Sequence, residues 1–217
     1  MRSPAAIAVV LLSLSTLAVA APASSSSDTK LERRGNLEAA VVREMNRVRE
    51  AHGLDPLTVS PSLRTAARDH SRSMLQFGFF SHDSVDGTGF SDRIRRHYTS
   101  RGWRFWSVGE ALLSSQAQTI DAHEVVEDWL ESPPHRELIL SSTWRDAGIG
   151  ALFAPTAPNE YGGAATIVVT ADFGLREGKL APPCRAPQCV PQDRDPRVRI
   201  PIRERQRRSL PQHAATR

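Results

Sequence analysis

The sequence is poor in cysteine, with two among 217 residues. That number excludes a disulfide-rich miniature scaffold and a cysteine-rich zinc module. Past the first twenty residues, no stretch is apolar enough to span a membrane, which excludes a multi-pass membrane protein. The remaining composition, 40% apolar and 24% charged, is that of an ordinary globular chain. Collagen-like, coiled-coil and wholly disordered classes are therefore excluded as well.

Several catalytic motifs are also missing. The chain has no G-x-S-x-G nucleophile elbow and no glycine-rich phosphate loop of either common type. The run from His123 to Glu127 begins like the zinc-protease motif H-E-x-x-H, but Glu127 stands where the second histidine is needed. Both cysteines lie in a segment with no base held beside them, which makes a cysteine nucleophile improbable. Nothing in the sequence indicates a nucleic-acid partner.

The N-terminus resembles a secretory signal peptide over residues 1–20. Arg2 provides the positive start, residues 5–20 are apolar and small, and Ala18-Val19-Ala20 matches the cleavage pattern. A membrane anchor is the alternative, but serines interrupt the stretch and it is short for a span. We therefore expect a secreted protein, extracellular or associated with the cell envelope. Residues 21–35 are predicted to be a disordered linker.

Positive charge is concentrated at the C-terminus. The net charge is +4, yet the segment from Glu177 onward holds ten Lys/Arg against four Asp/Glu, or +6, which leaves −2 for the rest. Residues 177–217 are also rich in proline and are predicted to be a disordered tail. This basic tail could contact an anionic wall polymer or membrane surface, with simple solvation as the alternative. Cys184 and Cys189 are predicted to close a small disulfide loop, with free thiols as the alternative.

Residues 36–176 are predicted to form one domain, in which helices come first. Asn36 and Gly53 delimit the first predicted helix, and Ser60-Pro61 and Gly78 delimit the second. His70 lies on the apolar stripe of the second helix, which favours a hydrogen-bonded core histidine over a metal ligand. Residues 91–97 are predicted to form a short helix. Asp121 with Glu124 is predicted to open another, which breaks at Ser132-Pro133-Pro134.

Strand patterns dominate the second half of this domain. Residues 103–112 are predicted to hold a short strand, residues 147–153 form a short apolar run, and residues 166–173 alternate. A Pro-, Asn- and Gly-rich stretch separates the last two strands, so a hairpin is the simplest connection. Helices followed by a hairpin favour an α+β fold over a doubly wound parallel sheet.

Two histidines and two glutamates stand out as candidate site residues: His82, Glu110, Glu131 and His135. Two imidazoles with one or two carboxylates can bind a divalent metal, and the carboxylates can also position a water molecule. These residues are far apart in sequence, so their spacing alone does not show that they meet. Solvated surface residues are the alternative.

Several segments, taken in order, resemble the CAP superfamily of cysteine-rich secretory proteins, antigen 5 and pathogenesis-related class 1 proteins. The best match is its cysteine-poor bacterial branch. The segments that carry the resemblance cover nearly all of residues 36–176: Asn46-Arg47, Gly53 to Leu57, Leu63 to Met74, Phe80-Ser81-His82, Gly109-Glu110, Trp129 to Arg136, Gly148-Ile149-Gly150 and Thr170 to Gly174.

The resemblance implies a three-layer α-β-α sandwich with a central antiparallel sheet. It also implies a shallow cleft lined by two histidines and two glutamates, which in some members binds zinc or another divalent ion. His82, Glu110 and His135 match three of these positions. The second glutamate is expected where Ser132 stands, and Glu131 comes one residue early.

The resemblance leaves two classes of function open. The favoured one is a non-enzymatic extracellular binding module for a lipid, a sterol or a cell-envelope polymer. The other is a metal-assisted hydrolase, with His82 or His135 on the metal and Glu110 or Glu131 as general base. A structural extracellular domain without a ligand is a third interpretation.

Overall fold

A computed structural model describes residues 30–180. The predicted signal peptide, most of the predicted linker, and the segment with Cys184 and Cys189 lie outside the described residues. The predictions for those segments, including the disulfide loop, stay predictions.

Five helices carry most of the local sequence signals. They are α1 (Gly35–Ala51), α2 (Pro61–Phe77), α3 (Phe90–Arg95), α4 (Ala122–Glu131) and α5 (Pro133–Ile139). At the start of α2 the Ser60 hydroxyl accepts a hydrogen bond from the Leu63 N–H, and Gly78 ends the helix in the left-handed conformation. Asp121 and Glu124 form the predicted capping box of α4.

Two helix boundaries differ from the sequence prediction. Helix α1 begins at Gly35, and its cap residue is Arg34, which makes no side-chain capping bond, so Asn36 is not the cap. The prolines after α4 do more than end it, because Pro133 and Pro134 open α5. Proline is tolerated in the first turn because its missing N–H would have no intrahelical partner there.

Five strands form one sheet in the order β1-β4-β5-β3, and β2 also pairs with β4. Their bounds are β1 (Glu32–Arg33), β2 (Thr58–Val59), β3 (Trp103–Ser115), β4 (Asp146–Ala154) and β5 (Thr166–Lys179). All pairings are antiparallel except the short parallel one between β2 and β4. The predicted hairpin between the last two strands is confirmed.

Ordered structure reaches past both predicted ends of the domain. Strand β1 falls inside the linker predicted as disordered, and β5 continues to Lys179, three residues beyond Arg176. Strand β3 likewise runs to Ser115. Each extension is fixed by pairing with a distant strand, so no local pattern marks it.

The helices cover both faces of the sheet, which confirms the α-β-α sandwich and the α+β class. One core lies between the sheet and α1, α4 and α5, centred on Met45, Trp129 and Phe173. The opposite face packs on α2 and α3. There α2 lies directly on β4, because a Cβ atom at Gly148 or Gly150 would collide with the α2 backbone near Arg64 and Arg68. Within residues 30–180, no helix is long and apolar enough to cross a membrane.

Candidate functional site

Glu110 lies at the centre of the candidate site. It sits in the middle of β3, on the face that packs against α2 and α3, and its side chain is fully buried. Both of its carboxylate oxygens are engaged. Oε1 accepts a hydrogen bond from Nδ1 of His82 at 2.9 Å, and Oε2 accepts one from Nη2 of Arg93 at 2.6 Å.

The charge on Glu110 is stabilised by these two partners. Burial alone raises the pKa of the carboxyl, but the hydrogen bond from His82 and the charge of Arg93 outweigh it and lower the pKa below its ordinary value. Glu110 is therefore an ionised carboxylate, and the polar hydrogen of His82 Nδ1 points to it. The same hydrogen bond raises the pKa of His82.

The side of the His82 ring that faces away from Glu110 is open to solvent. The residue lies in the loop after α2, and about half of its side chain, 49%, is exposed. With Nδ1 fixed on Glu110, Nε2 is the nitrogen left for a ligand. The ring also lies against Phe90, with centroids 6.2 Å apart. A buried carboxylate that orients an exposed imidazole is an arrangement suited to binding or to proton transfer.

Arg93 joins three parts of the site. It comes from α3, and the same Nη2 that reaches Glu110 also donates to the carbonyl oxygen of His82, at 3.1 Å. Its side chain is nearly buried. Sequence reasoning did not select Arg93. The only signal available was an arginine within a predicted short helix, which is too common to indicate a site.

Asp172 is the second residue that sequence reasoning missed. It lies on β5 directly opposite Glu110 and is completely buried. Neither of its oxygens has a hydrogen-bond partner among residues 30–180, so no hydrogen bond stabilises a negative charge there. Burial, reinforced by the charge of Glu110 and only partly offset by that of Arg93, raises the pKa of Asp172 well above its ordinary value. The fold therefore favours the protonated form of Asp172.

The other residues singled out in the sequence, His135, Glu131 and His70, have different surroundings in the structure. His135 lies in the first turn of α5, partly buried, and its pKa is lowered by burial and by the nearby charge of His82. Glu131 is exposed at the end of α4, and no hydrogen bond or ion pair within residues 30–180 joins it to the other three. His70 is a buried core histidine whose Nε2 bonds the Ser81 carbonyl at 2.8 Å, as predicted.

The arrangement does not fit a four-ligand zinc site. Within residues 30–180, no group of three His, Cys, Asp or Glu is placed to hold a metal ion. Glu110 would have to leave both of its partners to coordinate an ion, and the Arg93 guanidinium beside it repels a cation. The donors that remain are the imidazoles of His82 and His135. Zinc binding by these two residues stays a prediction.

A central antiparallel sheet with helices on both faces is the architecture implied for a CAP domain. The family model described as "CAP: Cysteine-rich secretory protein family" matches residues 42–173. The chain belongs to this family, as the resemblance implied.

Individual proteins resemble this chain at low sequence identity. An uncharacterised protein of Bacillus subtilis, YkwD, is 30% identical over 113 residues, which are 52% of this chain and 41% of that protein. An extracellular protein of Bacillus anthracis with an SCP domain superposes with a TM-score of 0.50 at 23% identity, covering 65% of this chain and 40% of that one. An outer surface protein of Borrelia burgdorferi superposes with a TM-score of 0.53 at 21% identity, covering 69% of this chain and 99% of that one. This chain thus spans less than half of the two Bacillus proteins, and the two superpositions support the fold.

Proposed function

We propose that the chain is a secreted module that binds a cell-envelope ligand in the cleft of His82 and His135, without hydrolysing it. The observation that carries this proposal is the state of Glu110. In the hydrolase alternative, a free carboxylate acts as the general base or positions a water molecule. Glu110 is fully buried and has both oxygens bonded to His82 and Arg93. Glu131, the other candidate carboxylate, forms no hydrogen bond or ion pair with His82, Glu110 or His135 among residues 30–180.

The chemistry of the cleft favours a polar ligand over a sterol. Glu110 holds His82 in one orientation through Nδ1, so Nε2 of His82 accepts a hydrogen bond when the ring is neutral and donates one when the ring is protonated, a form that its raised pKa favours. His135 is neutral more readily because its pKa is lowered. Such a donor and acceptor pair suits hydroxyl, carboxylate or phosphate groups. Phe80, two residues before His82, is 39% exposed and offers an apolar face to a sugar ring or an acyl chain. A wall polymer meets these requirements better than a purely apolar lipid.

The location of the protein rests on separate support. The first twenty residues resemble a signal peptide. The structural neighbours include proteins named as extracellular and as an outer surface protein. Both agree with a module that meets its ligand outside the cytoplasm.

The test is binding of the purified full chain to isolated bacterial wall, compared with a His82→Ala/His135→Ala variant. We expect the parent to sediment with the wall, the variant to lose most of this binding, and neither to release soluble fragments. His123→Ala is the matched control, because His123 is an exposed histidine on α4 that pairs with Glu44 and Glu127 instead of the cleft. The control should bind like the parent.

Two results would contradict the proposal. Wall binding that survives in the double variant would place the ligand elsewhere on the molecule. Soluble fragments released by the parent, and not by His82→Ala, would establish hydrolysis. Calorimetric zinc titration of the same proteins tests the metal prediction separately. Because Glu110 is not free to coordinate, we expect binding weaker than that of a three-ligand protein site.

A further inference from the structure

The hairpin of β3 and β5 extends beyond the rest of the sheet. Strand β5 pairs with β4 only as far as Gly174, whereas its pairing with β3 continues to Lys179. Residues 103–107 and 175–179 therefore form a two-stranded extension, which we call the distal ribbon. An isolated two-stranded ribbon is at most marginally stable, so its side chains must supply support or find a partner.

The distal ribbon exposes apolar side chains. Trp103, Phe105 and Trp106 lie on its first strand, and 58% of Phe105 is exposed. Leu180 follows its second strand, is 47% exposed, and donates its N–H to the Gly102 carbonyl. Single exposed apolar residues are common, but these two both lie at the end of the ribbon away from β4.

Arginines surround these rings. The Arg95 guanidinium lies over the Trp106 ring, 4.5 Å from its centroid. The Arg176 guanidinium lies over two rings, 3.8 Å from the centroid of Tyr98 and 5.2 Å from that of Trp103. Stacking on a ring holds a guanidinium in place. Arg95 is also paired with Asp92 at 2.5 Å, so the arginines with N–H groups available for anions are the exposed Arg101 and Arg104.

The charge of this region contrasts with that of the remaining domain. Residues 30–180 contain 18 Lys/Arg and 20 Asp/Glu, a net charge of −2, whereas the exposed charged residues at the end of the ribbon are Arg101, Arg104, Lys179 and Glu177. The acidic residue of the ribbon, Glu177, is paired with Arg145 at 3.5 Å. Residues 181–217 continue the chain from this same end and add nine Lys/Arg against three Asp/Glu.

We propose that the distal ribbon docks on an anionic lipid surface, with Phe105 and Leu180 entering the headgroup region and the arginines contacting phosphates. Aromatic side chains flanked by Lys and Arg are the combination that binds at a membrane interface. A soluble polyanion would use the arginines but gain nothing from the exposed Phe105 and Leu180. The docking site is distinct from the cleft, because Trp103 lies seven residues from Glu110 on β3, or roughly 23 Å along the strand. The cleft therefore stays open while the ribbon is docked.

The test uses the full chain with vesicles of phosphatidylcholine alone or mixed with phosphatidylglycerol. We expect sedimentation with the mixed vesicles, and quenching of tryptophan fluorescence by brominated lipid. Trp103 and Trp106 are the partly exposed tryptophans, while Trp129 and Trp144 are buried in the core. Phe105→Ser and Arg104→Glu should together weaken partitioning about tenfold or more, since each removes about 1 kcal/mol of binding. Both side chains are exposed, so the fold is expected to survive, which circular dichroism checks.

Matched controls separate the ribbon from the basic tail, which every variant retains. Phe77→Ser removes an equally exposed phenylalanine from the end of α2, and Arg43→Glu reverses an exposed arginine on α1. These controls should partition like the parent. Equal binding of ribbon variants and controls would overturn the proposal, as would vesicle binding without tryptophan quenching. A third result would favour an anionic polymer over a lipid surface and would also overturn the proposal. In that result, soluble poly(glycerol phosphate) displaces the protein from mixed vesicles, and the bound protein shows no tryptophan quenching before the displacement.

Discussion

At the scale of single residues, Glu110 and Asp172 show how one environment can shift the pKa values of two carboxyls in opposite directions. Both are buried and face each other across β3 and β5. Glu110 has two positively polarised partners, whereas Asp172 has no hydrogen-bond partner among residues 30–180. The environment therefore favours a negative charge on Glu110, which orients His82, and a proton on Asp172.

Replacing Asp172 with asparagine should stabilise the protein at neutral pH. Burial raises the pKa of Asp172. At pH values between the unfolded pKa, near 3.8, and the higher folded pKa, the unfolded state has released a proton that the folded state still holds. Stability is lost over that range, at about 1.4 kcal/mol for each pH unit. Asp172→Asn removes this loss, so its advantage in urea denaturation should be largest near neutral pH and shrink towards about pH 4. A less stable Asp172→Asn at neutral pH would contradict this prediction.

The histidines should titrate in a fixed order. The hydrogen bond to Glu110 raises the pKa of His82, while burial lowers the pKa of His135 and of His70. NMR titration of the imidazole carbons should therefore find His82 protonated at a higher pH than the other two. In His82→Gln the positive charge is gone, so the pKa of His135 should rise towards its ordinary value. An unchanged His135 would mean that the two rings do not share a cleft.

At the scale of secondary-structure elements, α2 and β4 are held closer than side chains usually permit. Gly148→Ala should destabilise the protein by about 1–3 kcal/mol or more, because the added methyl group collides with the α2 backbone at Leu63 and Arg64. Gly35→Ala is the matched control. It stands at the first position of α1, and its added Cβ would meet nothing closer than 3.5 Å. Thermal denaturation of both variants makes the comparison, and equal melting temperatures would contradict the close packing.

These elements also show what the sequence can reveal. The ends of α2 and the capping box of α4 were predicted correctly, because each depends on residues at the helix end itself. These residues are Ser60 and Gly78 for α2, and Asp121 and Glu124 for α4. The family resemblance pointed to His82 and Glu110, which a hydrogen bond joins, and to His135, whose part in the site stays a prediction. Arg93 and Asp172 were missed because their roles depend on which residues the folded chain brings opposite them, and an isolated arginine or aspartate carries no local mark of that. The extra strand β1 was missed for the same reason.

At the scale of the whole molecule, the boundaries of the folded domain follow from long-range pairing. Residues 36–176 contain the family's segments, but they omit β1 and the end of the distal ribbon. Strand β1 pairs with Leu152 and Phe153, the Arg34 N–H donates to the Ala151 carbonyl at 2.8 Å, and the Arg34 guanidinium lies over the Phe153 ring at 4.5 Å. These contacts cover the edge of β4 at this end, where its backbone would otherwise be open to pairing with another chain.

A fragment of residues 30–180 should therefore be more stable than a fragment of residues 36–176. The lost hydrogen bonds are each worth about 1 kcal/mol net, so removing two or three of them lowers the free energy of unfolding by about 2–3 kcal/mol. For a domain of this size that corresponds to a melting temperature lower by roughly 4–12 °C. Calorimetric melting of the two fragments measures the difference. The shorter one should also self-associate more readily at high concentration, since the β4 edge is uncovered. Identical melting temperatures would show that β1 and the ribbon end add nothing to the fold, in which case the domain would end where the sequence pattern places it.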